Sequence, residues 1–117
     1  MQSDWARPVV YFEIQARDAD LMAGFYSAMF NWDIGDGFIR QIPAGIGGPE
    51  NGIGGHLRQG DRPGVTLFIQ VKDLEASQQR AVELGGAVTS ARFDIPGGAS
   101  IAGIADPEGN PITLVQQ

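Results

Sequence analysis

Two side chains in this sequence are best suited to metal binding or proton transfer, and the first is His56. It is the only histidine among 117 residues and follows the glycine-rich stretch 52–55. An imidazole that titrates near neutral pH can serve as a metal ligand or as a general base. His56 can equally be a wall or surface residue that hydrogen-bonds to backbone. The sequence alone leaves both interpretations open.

Glu13 is the second candidate, because it lies mid-way along an alternating segment that places Tyr11, Glu13 and Gln15 on one side. Its carboxylate can act with His56, it can pair with Arg40 or Arg58, or it can face solvent at a sheet edge. Cysteine is absent, which excludes thiolate ligands, disulfides and cysteine nucleophiles. One histidine and one glutamate fall short of the three protein ligands usual in catalytic metal sites. The catalytic residues therefore stay unassigned, with Glu13 and His56 as candidates.

An internal repeat predicts the elements that position these side chains. Ile14-Gln15-Ala16-Arg17-Asp18 reappears 55 residues later as Ile69-Gln70-Val71-Lys72-Asp73. At the same offset Val10 corresponds to Val65 and Asp18 to Asp73. A repeat of this length predicts two copies of one supersecondary unit. We expect a single domain over 1–117, with modules at about 8–58 and 64–117.

Each module is predicted to fold as βαβββ, which gives an α+β protein. The first strands, Val9–Ala16 and Val65–Val71, are rich in β-branched and aromatic residues. Asp18 and Asp73 are placed to cap helices over about Ala19–Phe30 and Leu74–Leu84. Three short strands should follow each helix, at Trp32–Ile34, Phe38–Gln41 and Gly52–Arg58 and at Ala87–Ala91, Ser100–Ala105 and Ile112–Gln116. The glycine-rich segment Pro43–Asn51 is expected to be a mobile loop.

Composition excludes several classes of function. The net charge of −6 offers no basic stripe for nucleic acid. No apolar run approaches the length of a membrane-spanning helix, and residues 1–7 do not resemble a signal peptide. We therefore expect a cytoplasmic protein without a nucleic-acid or membrane partner.

Several short motifs are distributed along nearly the whole chain. The first module shows Tyr11-Phe12-Glu13-Ile14, Asp18, Phe25-Tyr26 and Phe30-Asn31-Trp32. The second shows Val71-Lys72-Asp73, Glu83-Leu84-Gly85-Gly86 and the turn Asp106-Pro107-Glu108-Gly109-Asn110. Together these motifs resemble those of the glyoxalase/bleomycin-resistance/dioxygenase superfamily, also called the vicinal oxygen chelate fold. The resemblance implies two βαβββ modules whose curved mixed sheets surround one ligand cavity.

The resemblance also implies where a metal site belongs. Metal-dependent members use His and Glu side chains from the first and last strands of each module, positions that correspond to Tyr11, His56, Thr66 and Thr113. Only His56 is a good ligand for a transition metal, and Glu13 could substitute for Tyr11. We therefore predict no metal cofactor, with a divalent ion held by His56 and Glu13 as the alternative. The expected ligand-binding residues are Tyr11, Glu13, Gln15, His56, Thr66, Phe68, Gln70 and Thr113.

Two classes of function follow from this resemblance. The first is a small-molecule binding protein without the usual metal site, similar in role to bleomycin-resistance proteins. The second is a metal-dependent lyase, isomerase or dioxygenase with an atypical ligand set. Gln15 and Gln70 either orient a polar ligand by hydrogen bonds or tie the two modules together. Tyr11 and Phe68 either supply aromatic contacts to a ligand or fill the core. Size and family habit predict a homodimer.

Overall fold

The computed structural model describes residues 6–44 and 52–116. These residues form seven strands and two helices, grouped into two compact units. The elements are β1 (Val9–Ala16), α1 (Ala19–Phe30), β2 (Arg40–Ile42), β3 (Gly55–Gln59), β4 (Gly64–Gln70), α2 (Leu74–Glu83), β5 (Ala87–Asp94), β6 (Ser100–Ala105) and β7 (Pro111–Gln116). Neither helix is long and apolar enough to cross a membrane.

The unit spanning Tyr11–Val65 contains most of β1, followed by α1, β2 and β3. The first and last strands are parallel, with Phe12–Ala16 beside Gly55–Gln59. Strand β2 pairs antiparallel with the other edge of β3, so that Gln41 lies opposite His56. Since α1 connects two parallel strands, this unit is built on a βαβ crossover.

Within the described residues, the other unit contains residues 66–116 together with residues 6–10. Strands β4 and β7 are parallel, with Leu67–Gln70 beside Ile112–Val115. Strand β6 pairs antiparallel with β7, and β5 pairs antiparallel with β6. The order of elements is the predicted βαβββ.

The same hydrogen bonds hold the start of each helix. Asp18 accepts from the backbone N–H of Leu21 at 3.0 Å, and Asp73 accepts from that of Ala76 at 2.9 Å. The first helical N–H is bound by a glutamine from the end of the last strand, Gln59 Oε1 for α1 and Gln116 Oε1 for α2. Unbonded N–H groups at a helix start need such partners. The repeat read from the sequence thus corresponds to a repeated local structure.

Each unit packs its helix against one face of its strands. In the first unit the buried cluster comprises Ile14, Ala19, Ile42 and Leu57. In the second it comprises Val71, Leu74, Ala102 and Leu114. Because successive strand residues point to opposite faces, the residues between these core positions lie on the side away from the helix. The predicted α+β class and the predicted helices are confirmed.

The predicted strand Trp32–Ile34 does not form, which is the main error of the sequence analysis. The indole of Trp32 stacks on Tyr26 with ring centroids 5.3 Å apart and also contacts Phe12 and Phe30. The partly buried indole packs against the core of this unit, so the segment follows the side chain rather than a sheet edge. The backbone N–H of Gly35 donates to Gln41 O of β2 at 3.0 Å. Strand β2 begins at Arg40 rather than Phe38, and β3 begins at Gly55 rather than Gly52. Residues 45–51 of the expected mobile loop lie outside the described residues.

Candidate functional site

Neighbouring strands of the Tyr11–Val65 unit bring its polar side chains onto one face. On β1 the core positions are Phe12, Ile14 and Ala16, so Tyr11, Glu13 and Gln15 point away from α1. On β3 the core position is Leu57, which places its neighbours His56 and Arg58 on that same outward face. Direct register of Glu13 with His56 then makes their side chains cross-strand neighbours.

Hydrogen bonds link four of these side chains into a chain, here called the Tyr11–Arg58 relay. The hydroxyl of Tyr11 lies 2.8 Å from His56 Nδ1, and His56 Nε2 lies 2.9 Å from Glu13 Oε1. Arg58 Nε donates to the same Glu13 oxygen at 2.7 Å. The imidazole is therefore held at both nitrogens, between a phenol and a carboxylate.

The carboxylate of Glu13 stays ionised although its side chain is only 14% exposed. The hydrogen bond from His56 lowers its pKa, burial opposes this, and the hydrogen bond and charge of Arg58 lower it further. An ionised carboxylate only accepts hydrogen bonds, so His56 Nε2 must carry a proton. Glu13 thereby fixes which imidazole nitrogen is protonated and orients the ring.

Tyr11 forms the end of the chain opposite Arg58. Burial raises the pKa of the Tyr11 phenol, and the negative charge of Glu13 raises it further, while a hydrogen bond with Gln41 lowers it. With a neutral imidazole, the phenol donates to His56 Nδ1. With an imidazolium, Nδ1 donates to the phenol oxygen, and Tyr11 can donate to Gln41 Oε1 at 3.3 Å. The arrangement accommodates both protonation states of His56.

Gln15 has a structural partner on the same face. Its Oε1 accepts from the backbone N–H of Arg62 at 3.0 Å. A side chain at Gly60 would collide with that of Gln15, so the glutamine packs tightly against the chain that follows β3. This contact gives Gln15 a partner within its own unit, and its expected role in ligand binding stays a prediction.

The remaining predicted site residues belong to the other unit. Phe68 pairs with Thr113 across β4 and β7, on the face away from the core position Leu114. Thr66 and Gln70 alternate with Leu67 and Ile69, so they share that face with Phe68. Their expected role in ligand binding stays a prediction. At the 55-residue offset Glu13 corresponds to Phe68, so the carboxylate of the relay has no counterpart there.

Sequence reasoning identified most of the relay but did not find its full set of partners. Arg58 was considered only as one of two possible partners of Glu13. The other, Arg40, lies on the helix side and pairs with Asp20 at 2.8 Å. Gln41 was missed, although its position beside His56 follows once β2 is known to pair with β3. Arg58 could have been found from its position two residues after His56, because that spacing places both side chains on the same face of a strand.

A transition metal fits this face poorly. The atoms His56 Nε2 and Glu13 Oε1 are adjacent, but the guanidinium of Arg58 already binds that oxygen. A metal ion there would sit beside a fixed positive charge, which weakens binding strongly when the groups are partly buried. Among the described residues no three His, Asp or Glu side chains are grouped so as to hold a metal.

Comparison with known proteins assigns the family. The profile of the glyoxalase-like domain matches residues 11–115. No curated protein sequence matches.

Solved structures support the fold at low sequence identity. A glyoxalase/bleomycin resistance protein/dioxygenase superfamily member from Vibrio splendidus has a TM-score of 0.67 and 15% identity, over 96% of this chain and 100% of that one. A methylmalonyl-CoA epimerase from Mycobacterium tuberculosis has a TM-score of 0.60 and 18% identity, over 97% and 93% of the two chains. The Mn(II)-bound glyoxalase from Novosphingobium aromaticivorans has a TM-score of 0.62 and 18% identity, over 94% of this chain and 38% of that one. The chain belongs to the glyoxalase-like domain family.

Proposed function

We propose that this protein binds a small organic molecule at the face that carries the Tyr11–Arg58 relay, and that it does so without a transition metal. The observation that carries the proposal is the engagement of one Glu13 oxygen by both His56 and Arg58. Arg58 supplies the positive charge that a metal would otherwise bring to the carboxylate. A ligand would then contact the Tyr11 phenol of the relay rather than a metal ion.

The chemistry of the relay favours a ligand with an oxygen acceptor, such as a carboxylate, a carbonyl or a phenolate. The Tyr11 hydroxyl is at one end of the relay, whereas the His56 and Glu13 side chains between the two ends are only 11% and 14% exposed. The phenol keeps its proton at neutral pH because its pKa is raised. When His56 Nδ1 donates to the phenol oxygen, the single O–H of Tyr11 can donate to a ligand oxygen in place of Gln41 Oε1. Specific polar contacts of this kind orient small ligands in protein sites.

The expected polar and apolar contacts from the other unit, Thr66, Phe68, Gln70 and Thr113, belong to this proposal and need their own variants. We further propose that the protein is a homodimer. We also propose that it works in the cytoplasm, in keeping with the absence of cysteine. Sedimentation and fractionation of the expressed protein test these two statements.

Ligand-observed NMR with small carboxylic acids, phenols and dicarbonyl compounds tests the binding proposal. We expect some of these compounds to bind the wild-type protein. The same compounds should bind Tyr11→Phe at least about tenfold more weakly, since a hydrogen bond to a charged ligand contributes about 1.5–3 kcal/mol. Tyr26→Phe is the matched control, because Tyr26 is the other tyrosine and stacks on Trp32. Equal binding by all three proteins would contradict the proposal.

A second candidate function is a metal-dependent lyase, isomerase or dioxygenase. The 2.9 Å separation of His56 Nε2 and Glu13 Oε1 favours it, because neighbouring ligands at about 2.1 Å from an octahedral ion lie about 3 Å apart. The structural similarity to a Mn(II)-bound glyoxalase shows that the fold carries such sites elsewhere. Metal titration separates the two candidates.

A further inference from the structure

Helix α1 has an apolar face that the described residues of its own unit leave uncovered. Leu21, Phe25 and Met29 recur at intervals of four residues and are 68%, 54% and 59% exposed. Gly24 and Ala28, also exposed, lie between them along the same side of the helix. These five residues, here called the α1 face, are separate from the relay, which lies on the opposite side of the strands.

The repeat supplies an internal comparison for this face. Helix α2 occupies the corresponding position, begins at the corresponding capping aspartate, and carries Glu75, Arg80 and Glu83. At the 55-residue offset Phe25 corresponds to Arg80. Helix α1 has Asp20 as its one charged residue. A helix in this position can therefore have a charged outer surface, and α1 does not.

Gly24 is unusual in the middle of a helix, where glycine costs about 1 kcal/mol relative to alanine. A Cβ atom at Gly24 would meet nothing within 4 Å, so packing inside this unit does not require the glycine. With Ala28 one turn later, it leaves a shallow strip between large apolar side chains. Such a strip allows another helix to approach closely.

We propose that the α1 face docks onto the α1 face of a second copy of this chain, with the two helices antiparallel about a twofold axis near Phe25. In that arrangement Leu21 of one copy meets Met29 of its partner, so the face is complementary to itself, as a twofold interface requires. Each chain carries a net charge of −6, and contact through an uncharged face keeps the like charges apart.

The exposed area suits a weak dimer. Three large apolar side chains exposed by a little more than half present about 350 Å² per copy, taking roughly 200 Å² for each. With Gly24, Ala28 and the flanking surface, two copies reach about 1,000 Å², the low end for specific interfaces. Dissociation in the micromolar range is therefore expected.

Sedimentation velocity across the micromolar range tests this interface on the full chain. We expect the wild-type protein to shift from monomer to dimer and Phe25→Glu to dimerise at least about tenfold more weakly. Val82→Glu is the control, because Val82 lies on α2 and is also 54% exposed. It should dimerise like the wild-type protein.

Met29→Glu is a second variant, chosen because it leaves the contact between the rings of Phe25 and Tyr26 intact. Circular dichroism establishes that each variant is folded. A wild-type protein that stays monomeric at high micromolar concentration would overturn the proposal. So would a folded Phe25→Glu or Met29→Glu variant that dimerises normally. Neither result bears on ligand binding by the relay.

Discussion

Replacing Glu13 by glutamine removes the negative charge at the centre of the relay while preserving its shape. The amide oxygen can still accept from His56 and Arg58, so the loss has two parts. The bond from His56 changes from the charged class, about 1.5–3 kcal/mol, to the neutral class, about 0.5–1.5 kcal/mol, which is a loss of about 1 kcal/mol. The bond from Arg58 keeps its charged donor and loses the ion-pair attraction, about 0.5 kcal/mol for a side chain that is 30% exposed. The expected total is about 1.5 kcal/mol.

Urea denaturation at neutral pH measures this loss, and Glu83→Gln is the matched control. Glu83 pairs with Arg80 at 3.0 Å, but both side chains are more than half exposed. Exposed pairs contribute little, so this variant should lose less than about 0.5 kcal/mol. For a chain of this size the Glu13→Gln loss corresponds to a melting-temperature decrease of about 6 °C.

The sign of the pH dependence follows from the lowered pKa of Glu13. Its stabilising effect is complete above the unfolded-state pKa of about 4.3 and is lost as the pH falls through the lower folded-state pKa. The difference between the wild-type protein and Glu13→Gln should therefore shrink below about pH 4. Two results would refute the reasoning. The first is a free energy of unfolding for Glu13→Gln within about 0.5 kcal/mol of the wild-type value, the limit for exposed pairs. The second is a loss that does not depend on pH.

Two further predictions concern the framework that holds the relay. Asp18→Ala and Asp73→Ala should each destabilise the protein by about 1 kcal/mol in urea denaturation, because each removes an equivalent helix cap; a large difference between the two losses would argue against equivalent caps. Gly55→Ala should lose about 2 kcal/mol, since its Cβ would lie 2.5 Å from the backbone oxygen of Phe12. Gly52→Ala is the control because nothing lies within 4 Å of its Cβ, and equal stability of the two variants would show that β1 and β3 adjust freely there.

Local sequence patterns predicted the elements whose determinants are local. The repeat, the capping aspartates and the alternation around Glu13 gave both helices and the outward face of β1. The turn Asp106–Asn110 also formed as expected, with Gly109 N–H bonded to Asp106 O at 2.9 Å. These features depend on side-chain spacing and backbone preference over a few residues.

The features that the sequence did not predict depend on contacts between residues far apart in the chain. Trp32 was expected in a strand, but its ring packs into an aromatic cluster that includes Tyr26 and Phe12. The partner of Glu13 depended on the pairing of β1 with β3, which places Arg58 rather than Arg40 beside the carboxylate. Gln41 entered the site only through the pairing of β2 with β3.

Calorimetric titration of Zn²⁺, Ni²⁺, Mn²⁺ and Fe²⁺ into the chelator-treated protein tests the metal-free relay most directly. We predict no submicromolar binding by the wild-type protein. Arg58→Gln should bind these ions more tightly than wild type, because the guanidinium no longer occupies the Glu13 carboxylate, and adding His56→Ala should abolish the gain. Submicromolar binding by the wild-type protein that disappears in His56→Ala and in Glu13→Gln would contradict the account and favour a metal-dependent enzyme.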